Sequence, residues 1–306
     1  EATWKTEPDA LRIRFVEAFH IGLSQSDEPF LENALDDASA DLRNVIKKLL
    51  SLLPDSRFCQ RMLNRALSHV KMTQIDGKNI IRFTYPQKAD ASMIRDGITD
   101  TYANAIGLLK RVISYVPVRY WCELWNLSPQ ELLDAVANHQ HNQSIFREAF
   151  AWSVFRFEDT VFAPLIFDCA YQDLEVKEQE LLLQVMPEES LSEKIIDMLD
   201  NGKQEFRFNH PAVTLLMHLK DTWSERLSHV FMESLSRYLK QRNFYPDKDT
   251  RMMLITFTYR IPGNLKNDYI KTLSIYTRTS ATWNEALDEI RFLLDFRAEM
   301  LNAIHE

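Results

Sequence analysis

Residues 29–54 read PFLENALDDASADLRNVIKKLLSLLP, and their spacing decides the fold class. Phe30, Leu31, Ala34 and Leu35 fall on one apolar stripe. Leu42, Ile46, Leu49, Leu50 and Leu53 form a second stripe with the period of a half-buried helix. Asp36, Asp37, Ala38 and Ser39, between them, supply turn chemistry. Ser39 is the predicted N-cap of the second helix. Asp41 then lies in its first turn, where a carboxylate meets the positive end of the helix dipole. Pro29 suits the first turn of one helix and Pro54 stops the other. Neither helix can bury its stripe alone. The pair has to stack on neighbouring helices, which is the logic of a helical solenoid.

The same rhythm runs outward from this unit. The spacing predicts helices over 8–23, 56–71, 102–115, 118–125, 130–138, 146–157, 161–169, 177–185, 190–199, 211–218, 223–240, 247–259 and 281–305. In the first of these, Leu11, Phe15, Ala18, Phe19 and Leu23 read as the inward side. Asn201-Gly202, Tyr245-Pro246 and Pro262-Gly263 punctuate the later helices. One stretch breaks the pattern. In KNIIRFTYP, residues 78–86, Ile81, Phe83 and Tyr85 alternate with polar residues after the turn signal Asp76-Gly77. The expected fold is therefore an all-α superhelix with a short extended or hairpin insertion near 76–86. The expected organisation is regular repeats over 1–72, an extended segment and loop over 73–100, and divergent repeats over 101–306.

Composition narrows the function classes. The 306 residues are 45% hydrophobic and 26% charged, ordinary values for a globular chain. No apolar run reaches the ~18 residues of a membrane span. Only six glycines occur, and no two lie closer than ten residues apart. A Walker loop, a dinucleotide fingerprint and a nucleophile elbow all need clustered glycines, so these three are excluded. A net charge of −8 weighs against nucleic acid as the main partner. Cys59, Cys122 and Cys169 are few, odd in number and widely spaced, which fits a reducing, cytoplasmic setting. The chain opens without Met in EATWKTEPDALRIRF, which reads as the start of a C-terminal part of a longer protein.

The candidate sites are sparse. Arg57, Arg61, Arg65 and His69 recur every four residues and so line one helix face. They offer an anion or partner face, set against a second reading in which they pair with acidic groups nearby. His139 and His141 are two potential ligands without a third, and read as a surface loop. Ser68 to Lys71 matches S-x-x-K, but the companion motifs of acylating enzymes are missing. Asp36, Asp37, Asp41 and Arg43 read as hydrogen-bonding groups between adjacent helical turns. The tryptophans at 121, 125, 152, 223 and 283 read as packing residues rather than a base-stacking platform. No catalytic residue, cofactor site or metal site is expected.

Leu31, Ala34, Leu35, Asp36, Asp37, Leu42, Arg43, Ile46 and Leu49 make the 29–54 unit resemble a HEAT repeat. The resemblance extends to EATWKTE, to LLPDSRFCQRMLNRA at 52–66, to MIRDGI at 93–98, and to VPVRYWCELWNLSPQEL at 116–132. NHPAVTLL at 209–216 and FRAEMLNAI at 296–304 continue it. Over most of its length the chain resembles an uncharacterised bacterial family of HEAT-like proteins. Genes of that family often sit beside those for a MoxR-type AAA ATPase, a von Willebrand A protein and a SWIM zinc-finger protein. This implies a non-catalytic scaffold that binds other proteins, as an adaptor in a MoxR-type ATPase system. The competing expectation is a HEAT-like nucleic-acid-binding protein, or a DNA glycosylase-like enzyme, using the Arg57, Arg61 and Arg65 face.

Overall fold

The computed structural model describes residues 4–37, 39–53, 55–98, 104–138, 143–200, 205–241, 247–276 and 281–305. Among them the protein is predominantly helical, with one two-stranded sheet, and it divides into two compact units, 1–185 and 186–306.

The first unit opens with α1 (Asp9–Glu17), α2 (Glu28–Ala34), α3 (Ala40–Ser51) and α4 (Arg57–His69). A hairpin of β1 (Val70–Ile75) and β2 (Lys78–Phe83) follows. Then come α5 (Ala91–Arg95), α6 (Ala105–Ile113), α7 (Val118–Trp125), α8 (Pro129–Ala137), α9 (Gln143–Arg156), α10 (Phe162–Ala170) and α11 (Val176–Val185). Helices this short are marginal alone in water, so caps and packing hold them. Ser39 accepts a hydrogen bond from Leu42 N and Ser56 from Cys59 N. Asn104 accepts from Gly107 N, and Ser128 with Glu131 forms a capping box behind Pro129. One row of packed helices runs α3, α4, α6, α9 and α11, with α1 and α2 against α3 and with α8 and α10 against α9.

The second unit comprises α12 (Glu188–Asp200), α13 (Pro211–His218), α14 (Glu225–Leu239), α15 (Lys248–Thr258), α16 (Lys266–Leu273) and α17 (Ala281–His305). Helix α12 packs on α13 and α14, α14 on α16, and α17 on α15 and α16. Trp223, Phe231 and Phe257 meet at centroid distances of 5.3 Å in its core. The buried Tyr269 hydroxyl donates to Leu254 O at 3.2 Å.

The quoted unit folds as its stripes require. Leu31, Leu35, Leu42, Ile46, Leu49, Leu50 and Leu53 are all buried. Four details differ from expectation. In α1, Leu11 and Phe15 are exposed, and Arg12 and Val16 are buried instead. Arg12 turns inward because Asp9 and Asp37 hold its guanidinium, while Phe15 joins Trp4, Phe19 and Phe30 in an aromatic cluster. The hairpin starts at Val70, six residues before the turn signal. Its β-branched and alternating residues continue straight out of α4, and Asp76 and Gly77 take the positive φ values of the turn. The stretch expected as loop to about residue 100 contains α5, capped by Asp90 on Met93 N. Helix α16, polar in its first turn, was not expected. Pro54, Tyr102, His139, His141, Asn201, Gly202, Tyr245 and Pro246 lie outside the described residues.

Leu49 is 3% exposed between α3 and its neighbours. Leu49→Ala should cost about 2–5 kcal/mol in urea unfolding, through lost transfer energy and the cavity left behind. A cost below about 0.5 kcal/mol would mean that the site collapses around the smaller side chain.

Candidate functional site

Helix α4 carries the arginine ladder on one face, as its spacing requires, and each arginine meets a carboxylate. Arg57 Nε donates to Glu28 Oε1 at 2.8 Å, and this guanidinium holds the Glu28 carboxyl below its usual range. Arg61 binds Asp96 in two-pronged fashion, at 3.0 and 2.8 Å, and reaches Glu32 at 2.7 Å. Arg65 donates to Asp96 Oδ2 at 2.7 Å and to Ser92 Oγ at 2.5 Å. His69 meets Thr84 at 3.2 Å. From α5, Arg95 donates to Glu32 at 2.9 Å and to Asp36 at 2.6 Å, keeping the Asp36 carboxyl low. Four guanidiniums thus face four carboxylates, linking α2, α4 and the α5 segment. Asp37 and Arg43 also act within the scaffold: Asp37 binds Arg12, and its carbonyl accepts from Arg43 Nη1 at 2.5 Å.

The segment at the centre of this lattice has a second face. Asp96 is 1% exposed, and Gly97 follows it with φ +77. Gly97 O accepts from Arg111 Nη1 at 3.1 Å. A Cβ at Gly97 would lie 2.2 Å from Lys47 Nζ, so the Lys47 chain runs directly under this turn.

Beyond it opens a groove over α3, α6, α9 and α11. One part encloses about 380 Å³, and an adjoining part of about 600 Å³ shares Asn44, Tyr115, Trp152 and Arg156 with it. Six cationic side chains line the two parts: Lys47, Lys48, Lys110, Arg111, Arg156 and Lys177. Three carboxylates accompany them: Glu148, Glu158 and Glu178. Glu148 is tied to Lys110, and Glu178 accepts from Trp152 Nε1 at 2.8 Å. The aromatic faces carry cations, with Lys177 Nζ 4.9 Å from the Trp152 ring and Arg156 3.7 Å from that of Tyr115.

Lys47, Arg111 and Arg156 form no ion pair among the described residues. Arg156 donates to Ser114 O and to Ser114 Oγ. Lys47 is 8% exposed and has no side-chain partner among the described residues. Burial first, and then the nearby Arg111, Arg43 and Arg156, lower its pKa to about 8. Positive charge therefore exceeds negative charge along the groove, six side chains to three.

Little of this groove was legible in the sequence. Its lysines and arginines come from four helices, far apart in the chain. The one available signal was Lys47 itself, a lysine set between Ile46 and Leu49 where an apolar residue fits better. Trp152, expected only to pack, also lines the groove. Cys59 and Cys122 are buried and Cys169 is exposed, all with free thiols. The S-x-x-K residues Ser68 to Lys71 straddle the end of α4 and the start of β1. Among the described residues no cluster of three His, Cys, Asp or Glu side chains could hold a metal, and no helix is long and apolar enough to cross a membrane.

Fold and groove together define a helical protein with a cationic cleft set in an acidic chain. The chain belongs to a family of unknown function (DUF5691), which it matches over residues 1–304. No curated protein and no solved structure gives a significant match.

Two stability outcomes follow from the site. Asp96→Asn should cost about 2–4 kcal/mol, because Arg61 and Arg65 lose a shared buried counter-charge. An effect within 0.5 kcal/mol, on the order of a surface change, would show that the lattice does not depend on it. Lys47→Met should stabilise the protein by about 1–3 kcal/mol at pH 7. The folded pKa is depressed, so below pH 8 the folded state carries the full cost of the buried charge. As pH rises from there toward the unfolded value near 10.5, the native lysine sheds its proton first and the cost shrinks. Urea unfolding of both proteins at pH 7 and 9.5 should show the gap narrowing; a less stable variant at pH 7 would contradict this.

Proposed function

We propose that this protein is a non-catalytic binding module built on HEAT-like repeats, whose groove in the first unit takes an anionic segment of a partner protein. The repeat reading is supported by the short capped helices. In both units they pack repeatedly on the helix two positions along the chain, as α4 on α6 and α12 on α14. The binding reading rests on one observation above all. A chain of net charge −8 gathers six cations in a single groove, and among the described residues only one of the six, Lys110, has a carboxylate counter-ion. Unpaired charge of one sign in a cleft raises the local concentration of the opposite sign and steers its approach. Of the groove's carboxylates, Glu148 is tied to Lys110, and Glu178 accepts from Trp152 Nε1 through Oε1 while its Oε2 is buried without a hydrogen-bond partner among the described residues.

The resemblance to a family encoded beside MoxR-type ATPases and von Willebrand A proteins makes those proteins the first partners to test. A nucleic-acid role for the Arg57, Arg61 and Arg65 face has less support, because any phosphate would compete with Glu28, Glu32 and Asp96 for the same guanidiniums.

The test is direct binding of purified MoxR-type ATPase and von Willebrand A protein from the same host, by biolayer interferometry. The charge-reversed double variant Lys48→Glu with Lys177→Glu serves as comparison. Both residues are exposed at the groove, so the fold should survive. We expect saturable binding of at least one partner, weakened about tenfold or more by the reversal, or ~1.4 kcal/mol. Equal binding by wild type and variant would remove the groove from the reading. Absence of binding to either protein would remove the adaptor role.

A further inference from the structure

The floor of the groove carries a more specific signature than net charge. On α4 and α5 every one of four arginines has a carboxylate within 3 Å. In the groove beside the Gly97 turn, Lys47, Arg111 and Arg156 have none among the described residues. Holding a buried ammonium charged and unpaired near two guanidiniums is costly, and an anion bound beside it would offset that cost. The built features are all local. Gly97 has no Cβ and so leaves room for Lys47 Nζ, which opens on the groove. Ser114 and Gly97 supply carbonyls that aim Arg156 and Arg111. Tyr115 backs the Arg156 guanidinium plane at 3.7 Å.

We infer that Lys47, Arg111 and Arg156 form an oxyanion-binding site for a dianionic phosphoryl group, carried by the partner segment that the groove accepts. The partner part rests on the function proposed above; the oxyanion site does not. Three unneutralised cations match two negative charges better than the single charge of a carboxylate. Guanidiniums also match phosphoryl oxygens in two-pronged geometry, with the lysine as a point charge. The open, adjoining volumes of about 380 and 600 Å³ accommodate a group presented on a chain. Besides the two arginines, Arg43 on α3 and Asp96 before α6 act on Lys47, and Glu148, Lys110, Glu178 and Lys177 line the same part of the groove.

The experiment uses the full chain and isothermal titration at constant ionic strength, with chloride replaced by sulfate, whose charge does not change near neutral pH. A second arm titrates a phosphoserine peptide and its unphosphorylated serine form. Sulfate should bind saturably at one site. At pH 8.5 binding should take up protons, because an anion at Lys47 restores the proton that burial removes. This uptake is read by comparing buffers of different ionisation enthalpy. Lys47→Met should lose about tenfold or more of the affinity and the proton uptake together, while Lys71→Met, exposed on the hairpin, should change neither. The variant's urea unfolding is run alongside, so that loss of fold is not mistaken for loss of site. Absence of saturable sulfate binding, or equal binding by Lys47→Met, overturns the site. Sulfate binding without preference for the phosphopeptide over its serine form keeps the oxyanion site and overturns the protein-borne source, leaving a small phosphate ester as the ligand.

Discussion

Asp96 is the group on which the first unit depends. It is buried, and its two oxygens are shared between Arg61 and Arg65 of α4. That double attachment pins the end of α5 against α4. It also fixes the next residue, Gly97, in a left-handed turn, where glycine avoids the steric cost of a side chain. The turn in turn presents its carbonyl to Arg111 and leaves room for Lys47. A carboxylate with two ligands in one lattice therefore shapes the floor of a groove whose charge has the opposite sign.

The two charge systems on either side of this turn have different energetics. In the arginine ladder each cation is desolvated only in part and is matched by a carboxylate, so the lattice orders α2, α4 and α5 without a large field. At Lys47 the charge is largely desolvated and lies near like charges. Stability alone would favour an apolar side chain there, since burial of an unpaired charge opposes folding. Perturbed groups gathered in a cleft are the pattern expected of a site rather than of a scaffold.

The differences between expectation and structure share a cause. Leu11 and Phe15 followed the helical period in α1, yet Asp9 and Asp37 draw Arg12 inward and rotate the helix about it. The arginines of α4 were correctly placed on one face. Their partners could not be read, because Glu28, Glu32 and Asp96 are 29, 29 and 35 residues away in sequence from Arg57, Arg61 and Arg61 respectively. Helix α5 is too short to show a period, and only its Asp90 cap distinguishes it from a loop. Periodicity reports what one helix does to itself, and each of these features arises between elements.

The sequence by itself determined the class of the protein. Stripe spacing and caps such as Ser39, Ser56 and Ser128 specify short helices that must pack on others, and Asp76-Gly77 specifies a hairpin. These are local properties, encoded within one or two turns of chain. Only the tertiary structure decided which charges are neutralised and which are not. Lys47, Arg111 and Arg156 meet because α3, α6 and α9 line one groove, and no spacing in the chain records that meeting. Electrostatic interaction depends on distance in space and on burial, both of which exist only once the helices are stacked.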